Sequence, residues 1–367
     1  MPLYPLYALL FADHGLSDAA ISALFALWSV TTLVLEVPSG AWADVTSRRR
    51  MLAASGALAA AAFALWVLFP GTWVFALGFV LWGVGTALGS GTLEALTYDA
   101  LAGWDAADRY ATLMGRARSG YLASTLVATA LAAPLVEVGG YVLPGLVGAA
   151  AALGAGLLAL TLPEESRAPS ARTTSRDALA EWWTTLRDGL ADVSRTALLR
   201  RAVLVTALLT GFMAFDEYLP LLAADRGASP ATAALALVGV GVAETLCVAL
   251  AGRVARARGA ALGVLLAVAA VTVGAGALLP LGPGFAAIAL GWGVLQMLLV
   301  VVETRVQDEV TGDARATVTS VAGLGSEGVA LGVLAVVGTG SVWVGLPVLV
   351  AALAAPLLGV AVLLARS

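Results

Sequence analysis

Apolar runs of about 20 residues, the length that spans about 30 Å of hydrocarbon at 1.5 Å per residue, recur along the chain between short polar breaks. They predict helices near 18–43, 50–69, 73–97, 112–136 and 141–162, and then near 200–224, 230–252, 259–280, 284–306, 315–338 and 342–365, eleven full spans in all. Residues 2–13, PLYPLYALLFAD, form one more apolar piece, too short to cross. The long polar segment at 163–201 opens with PEESRAPSARTTS, a flexible linker by composition. From Arg176 onward, Leu179, Trp182, Trp183, Leu186, Leu190 and Val193 recur at helical spacing, with Asp177, Glu181 and Arg187 between them. That pattern predicts an amphipathic helix lying on a membrane surface, with a partner-binding helix as the alternative.

The spans repeat. Ala12-Asp13-His14-Gly15-Leu16-Ser17 matches Ala224-Asp225-Arg226-Gly227-Ala228-Ser229 at an offset of 212. Glu94, Asp99 and Gly103 recur as Glu303, Asp308 and Gly312, and Asp108, Ala111 and Thr112 as Asp313, Ala316 and Thr317. Three recurrences in one order predict a duplicated six-helix unit. The expected division is residues 1–162 as an N-terminal bundle, 163–199 as a linker with an interfacial helix, and 200–367 as a C-terminal bundle. Under the first offset Met1 aligns with Met213, so residues 200–212 have no counterpart and the first helix is truncated. The comparison leads to the expectation that the natural protein starts a dozen or more residues upstream.

Composition agrees with a polytopic membrane protein: 60% of the 367 residues are hydrophobic and 12% charged, against about a quarter charged in soluble domains. One cysteine and one histidine exclude an internal disulfide and a Cys or His metal cluster. Cys247 reads as a small core residue and His14 as a solvated residue at the outer end of the first helix. Tryptophans 66, 73, 82, 104, 292 and 343 fall mostly near span ends and read as interface anchors. Of the twenty basic residues, all arginine, nineteen fall on one side and only Arg226 opposite. The linker and C-terminus are therefore expected in the cytoplasm, with the chain in the cytoplasmic membrane.

The stretch Glu36 to Arg50, EVPSGAWADVTSRRR, reads as a tight hairpin between two membrane helices. Gly40 and Asp44, four apart, share one helix face, so a neighbouring helix can pack on the glycine and present its end or an arginine to the carboxylate. The stretch resembles the signature loop between the second and third helices of the major facilitator superfamily (MFS), GxxxD, a basic residue, x, G, then two basic residues. Gly40, Asp44, Arg48 and Arg49 match, while Val45 replaces the basic residue and Ser47 the glycine. The resemblance implies an all-α fold of two pseudo-symmetric six-helix bundles around a central cavity, working by alternating access. The superfamily's antiporter pattern, GPxxGG, is poorly matched: Ala133-Pro134 stands for Gly-Pro, and Gly139-Gly140 come two residues late.

Intramembrane carboxylates mark function because each costs several kcal/mol unless paired, protonated or hydrated. Toward the arginine-rich side lie Glu36, Glu94, Asp99, Glu303 and Asp308, with Arg48, Arg49, Arg116, Arg118, Arg305 and Arg315 within reach. Acid and base together predict a charge network that gates the cytoplasmic side; a substrate vestibule is the alternative. Nearer the middle and outer half lie Asp216, Glu217, Glu244 and Glu327, without an arginine at their depth. Acids in such a cavity can exchange protons near neutral pH. The competing reading puts Glu217 in water and ties Glu244 or Glu327 to hydroxyls such as Thr245 and Ser326.

The expected function is secondary active transport of a small molecule, proton-coupled, with efflux of an amphipathic or cationic compound first. Nutrient uptake and a non-transporting membrane sensor are the alternatives. No catalytic pair, nucleotide cradle or metal spacing stands out, so no enzyme chemistry, cofactor or nucleic-acid partner is expected beyond a proton gradient. The expected partners are the small-molecule substrate and the lipid bilayer, and the expected state is a monomer.

Overall fold

A computed structural model describes residues 1–164, 183, 184, 187, 197–309 and 314–366. Within its helices the side chains of Ala41, Asp44, Val45, Ala202, 197–199, 306–309 and 314–320 are not described. Most of the amphipathic segment at 176–193, and the side chains of Asp44, Asp308 and Arg315, therefore lie outside the described residues. The described chain is helical without strands, and eleven of its helical spans are long and apolar enough to cross a membrane. These coincide with the eleven apolar runs.

Two compact units result. Unit 1 holds Met1–Leu16 and Leu24–Trp182, and unit 2 holds Ser17–Ala23 and Trp183–Ser367. In unit 1 the helices are α1 (Tyr7–Asp13), α2 (Asp18–Val45), α3 (Arg48–Leu68), α4 (Thr72–Gly89), α5 (Thr92–Gly103), α6 (Tyr110–Gly139) and α7 (Val142–Ala159). The first turns of α2 belong to unit 2. Unit 2 then continues with α8 (Ala197–Phe212), α9 (Leu219–Asp225), α10 (Pro230–Val248), α11 (Ala251–Val254), α12 (Gly259–Leu278), α13 (Leu281–Glu309), α14 (Ala314–Gly340) and α15 (Leu346–Ala365).

The repeat read from the sequence is a repeat in structure. After α1, Gly15 takes φ +85° and Leu16 N–H reaches back to the Phe11 carbonyl; after α9, Gly227 takes φ +80° and Ala228 N–H reaches the Ala223 carbonyl. A left-handed residue closing a 6→1 bond is how a helix ends at glycine. Ser229 then caps α10, its Oγ accepting from Thr232 N–H, with Pro230 in the first turn where no N–H is needed.

Small residues set the helix spacing in both units. A Cβ built on Gly56 of α3 would lie 2.6 Å from the Ala152 carbonyl oxygen of α7, and one on Gly263 of α12 would lie 2.5 Å from the Ala361 carbonyl of α15. Lipid tails are as apolar as leucine, so helices associate here through van der Waals packing at close approach. The tryptophan expectation divides accordingly. Trp73 and Trp343 are 87% and 85% exposed, as anchors are, but Trp66 and Trp292 are 0% and 3% exposed. Burial became possible because each indole N–H found a partner, the Phe75 carbonyl at 3.0 Å and Glu244 at 2.8 Å.

Candidate functional site

Unit 2 concentrates acids on a broken helix. Between α8 and α9 the chain runs as a 3₁₀ segment, Met213–Tyr218. Pro220 lacks the N–H that would reach the Asp216 carbonyl, and Leu219 N–H takes that acceptor with an i→i+3 bond instead. The break places Asp216 and Glu217, both half-buried, between apolar Phe215 and Tyr218, both 0% exposed. The sequence predicted an uninterrupted helix near 200–224; Pro220 was the signal that could have found the break.

Glu244 comes from α10 and is also half-buried. One carboxylate oxygen accepts from Trp292 Nε1 of α13 at 2.8 Å, and the Trp292 ring stands edge-on to Phe215 at 5.2 Å. Phe215 directly precedes Asp216 and Glu217 on the 3₁₀ segment. The 3₁₀ segment that carries Asp216 and Glu217 thus meets the Glu244–Trp292 pair through the ring of Phe215. Glu327 lies half-buried on α14. The expected hydroxyl partners are engaged elsewhere, with Thr245 donating to the Gly241 carbonyl and Ser326 to the Ala322 carbonyl. The partner that sequence reasoning missed for Glu244 is Trp292, because an indole 48 positions away gives no local signal.

Unit 1 carries a separate charge cluster at the start of α3. Arg48, buried, donates from Nη1 to Asp99 at 2.8 Å. Glu164, just beyond α7, accepts from Ser47 Oγ and from Arg48 N–H, both at 2.5 Å, and faces Arg49 Nε at 3.3 Å. A carboxylate on the first amides of a helix satisfies donors that have no intrahelical partner and complements the helix dipole. Arg48 is therefore joined to Asp99, and Arg49 to Glu164, which the sequence reading had placed in the linker. Glu36, Glu94, Arg116 and Glu303 have exposed side chains. Arg305 donates to the backbone carbonyls of Ala255 and Ala257, closing the end of α11. Gly40 is exposed on α2, and a Cβ there would meet nothing within 4 Å.

At the other end of unit 1, Tyr141 donates its hydroxyl to Asp13 at 2.6 Å. Burial first, then the hydrogen bond and charge of Asp13, push the Tyr141 phenol above its ordinary range, so it stays a donor at physiological pH. Among the described residues no group of three or more His, Cys, Asp and Glu side chains could hold a metal ion.

Duplicated helical bundles with membrane-length spans and intramembrane carboxylates define a multi-pass membrane protein of the transporter class. The family model of the Major Facilitator Superfamily matches residues 1–333, and the chain belongs to that superfamily. Among solved structures, the nucleoside transporter NupG is similar at TM-score 0.73 and 16% identity, covering 99% of this chain and 93% of that one. A point mutant of that same transporter is similar at TM-score 0.71 and 15% identity with the same coverage. A search of curated proteins finds no match.

Proposed function

We propose that the chain is a proton-coupled secondary transporter in which Asp216, Glu217 and Glu244 carry the proton and meet the solute. The carrying observation is the 3₁₀ segment bearing Asp216 and Glu217, which meets the Glu244–Trp292 pair through Phe215. A 3₁₀ stretch inside a long helical span often marks a functional hinge, so the acids sit where the span can yield. The solute that fits is a small molecule offering positive charge or hydrogen-bond donors to carboxylates.

For direction, uptake is favoured over the efflux expected first. Gly139 and Gly140 do not form the antiporter pattern; they end α6, Gly140 taking φ +56° as its cap. The nucleoside transporters of like fold add weak support, and nucleosides are the first solutes to test. The arginine distribution supports a cytoplasmic linker and Arg48 cluster, where the bonds of Arg48 to Asp99 and of Arg49 to Glu164 serve the inner gate.

The test is uptake of radiolabelled uridine and adenosine into proteoliposomes with the lumen made alkaline. Accumulation above equilibrium supports proton-coupled uptake. Accumulation of neither, with gradient-driven extrusion of an amphipathic cation, would return the efflux reading.

A further inference from the structure

Two buried rings fix the rotation of the acid-bearing segment in unit 2. A 3₁₀ helix has three residues per turn, so Phe215 and Tyr218 stand on one side of Met213–Tyr218, and both are 0% exposed. Asp216 and Glu217 take the other two sides. Phe215 meets the ring of Trp292 edge-on at 5.2 Å. Tyr218 is tied by its hydroxyl, which lies 2.6 Å from Ser22 Oγ on α2, a serine only 3% exposed. Ser22 gives its one hydroxyl proton to the Asp18 carbonyl at 2.7 Å, so in the shorter bond the tyrosine donates and the serine accepts. Ser22 is itself held in place. The turns Ser17–Ala23 belong to unit 2, and Gly338 of α14 comes so close that a Cβ there would lie 3.0 Å from Ser22 Cβ.

A ring edge tolerates rotation, whereas a hydrogen bond weakens steeply once its angle opens. A ring contact alone lets the segment turn about its axis, and such a turn carries Asp216 and Glu217 into different surroundings. We infer that Ser22 is a positioning residue for these two acids, acting through the Tyr218 hydroxyl, a role that rests on the proton-carrying function proposed above. The serine oxygen sets which way each carboxyl points, and so how readily each takes up a proton. The charged and titratable groups on the elements around the segment are Asp18 on α2, Asp225 beside Arg226 at the end of α9, Glu244 on α10 and Glu327 on α14. Arg200 and Arg201 of α8 and Glu303 and Arg305 of α13 lie toward the far ends of those helices. All of them keep their charge when Ser22 or Tyr218 is replaced.

The test follows the carboxylic-acid C=O stretch by infrared difference spectroscopy while the purified protein, in lipid bilayers, is titrated with acid. Bands missing from Asp216→Asn and from Glu217→Gln belong to those acids. Ser22→Ala and Tyr218→Phe, each removing one hydroxyl of the pair, are expected to move the midpoint of at least one such band in the same direction by about half a pH unit or more, roughly threefold in proton affinity. The double variant should move it no further, because both changes remove one bond. Tyr141→Phe, which loses a hydrogen bond of the same length in unit 1, should leave it in place. Wild-type midpoints in Ser22→Ala and Tyr218→Phe, even with lowered thermal stability, would make the bond structural only and overturn the inference. So would shifts that add in the double variant, or an equal shift in Tyr141→Phe. A spectrum from which neither amide variant removes a titrating band would refute the proton-carrying reading itself, and the inference with it.

Discussion

The two units share a scaffold and differ in what they place on it. The repeat sets Tyr4 against Asp216 and Pro5 against Glu217. In unit 1, Tyr4 stands edge-on to Trp82 at 6.2 Å, and Tyr7, 2% exposed, touches the rings of Phe11, Phe25, Trp66, Phe79 and Trp82. In unit 2 the corresponding 3₁₀ segment carries two acids, and the indole of Trp292 is spent on a third acid, Glu244. Aromatic edge-to-face pairs contribute about 0.5–1.5 kcal/mol each beyond burial and hold a unique packing. Acids in an apolar surround do the opposite, since their charge is costly and their protonation is therefore responsive. The two equivalent frames thus differ in content, aromatic rings in one and carboxylates in the other.

The scaffold half of this comparison is the easiest to break. Gly263→Leu drives a side chain into the Ala361 carbonyl, and Gly56→Leu does the same to Ala152. Overpacking against backbone with no room to yield costs about 3 kcal/mol or more. Both variants are expected to lose most folded protein in detergent, measured by size-exclusion yield and thermal unfolding. Wild-type stability in either would mean that the two close approaches are not equivalent supports.

Trp292→Phe sharpens the chemical half. It keeps a ring against Phe215 and removes the N–H that Glu244 accepts. Loss of a hydrogen bond to a charged group, about 1.5–3 kcal/mol, should shift the pH profile of transport while leaving folding intact. An unchanged profile would reduce the Trp292–Glu244 bond to packing. Tyr141→Phe should do least. Losing one hydrogen bond to Asp13 lowers stability by about 1 kcal/mol without moving the pH profile, because Tyr141 does not titrate in the working range. In unit 2, Arg226, the counterpart of His14, reaches the Ala277 carbonyl. The corresponding ends of the two units are thus tied by different bonds.

Much of this was legible in the chain. Eleven apolar runs gave eleven spans because hydrocarbon thickness sets their length. The matched turns at Gly15 and Gly227 were visible because a left-handed position selects glycine. Less visible was anything that depends on a distant partner. Trp292 near a span end looked like an anchor, and only the fold supplies Glu244 to bury it against. Glu164 looked like linker, since nothing local shows that it closes over the start of α3. Of the predicted acids, Asp216 and Glu217 share the 3₁₀ segment, and Phe215 of that segment meets the indole that Glu244 holds.

The central claim is that unit 2's acids couple proton movement to solute movement. The direct measurement compares, in proteoliposomes, solute exchange at equal pH with accumulation under an alkaline-inside gradient, for wild type and for Asp216→Asn, Glu217→Gln, Glu244→Gln and Glu327→Gln. At least one amide variant should still exchange solute yet fail to accumulate it. Accumulation at the wild-type level in all four would contradict the account.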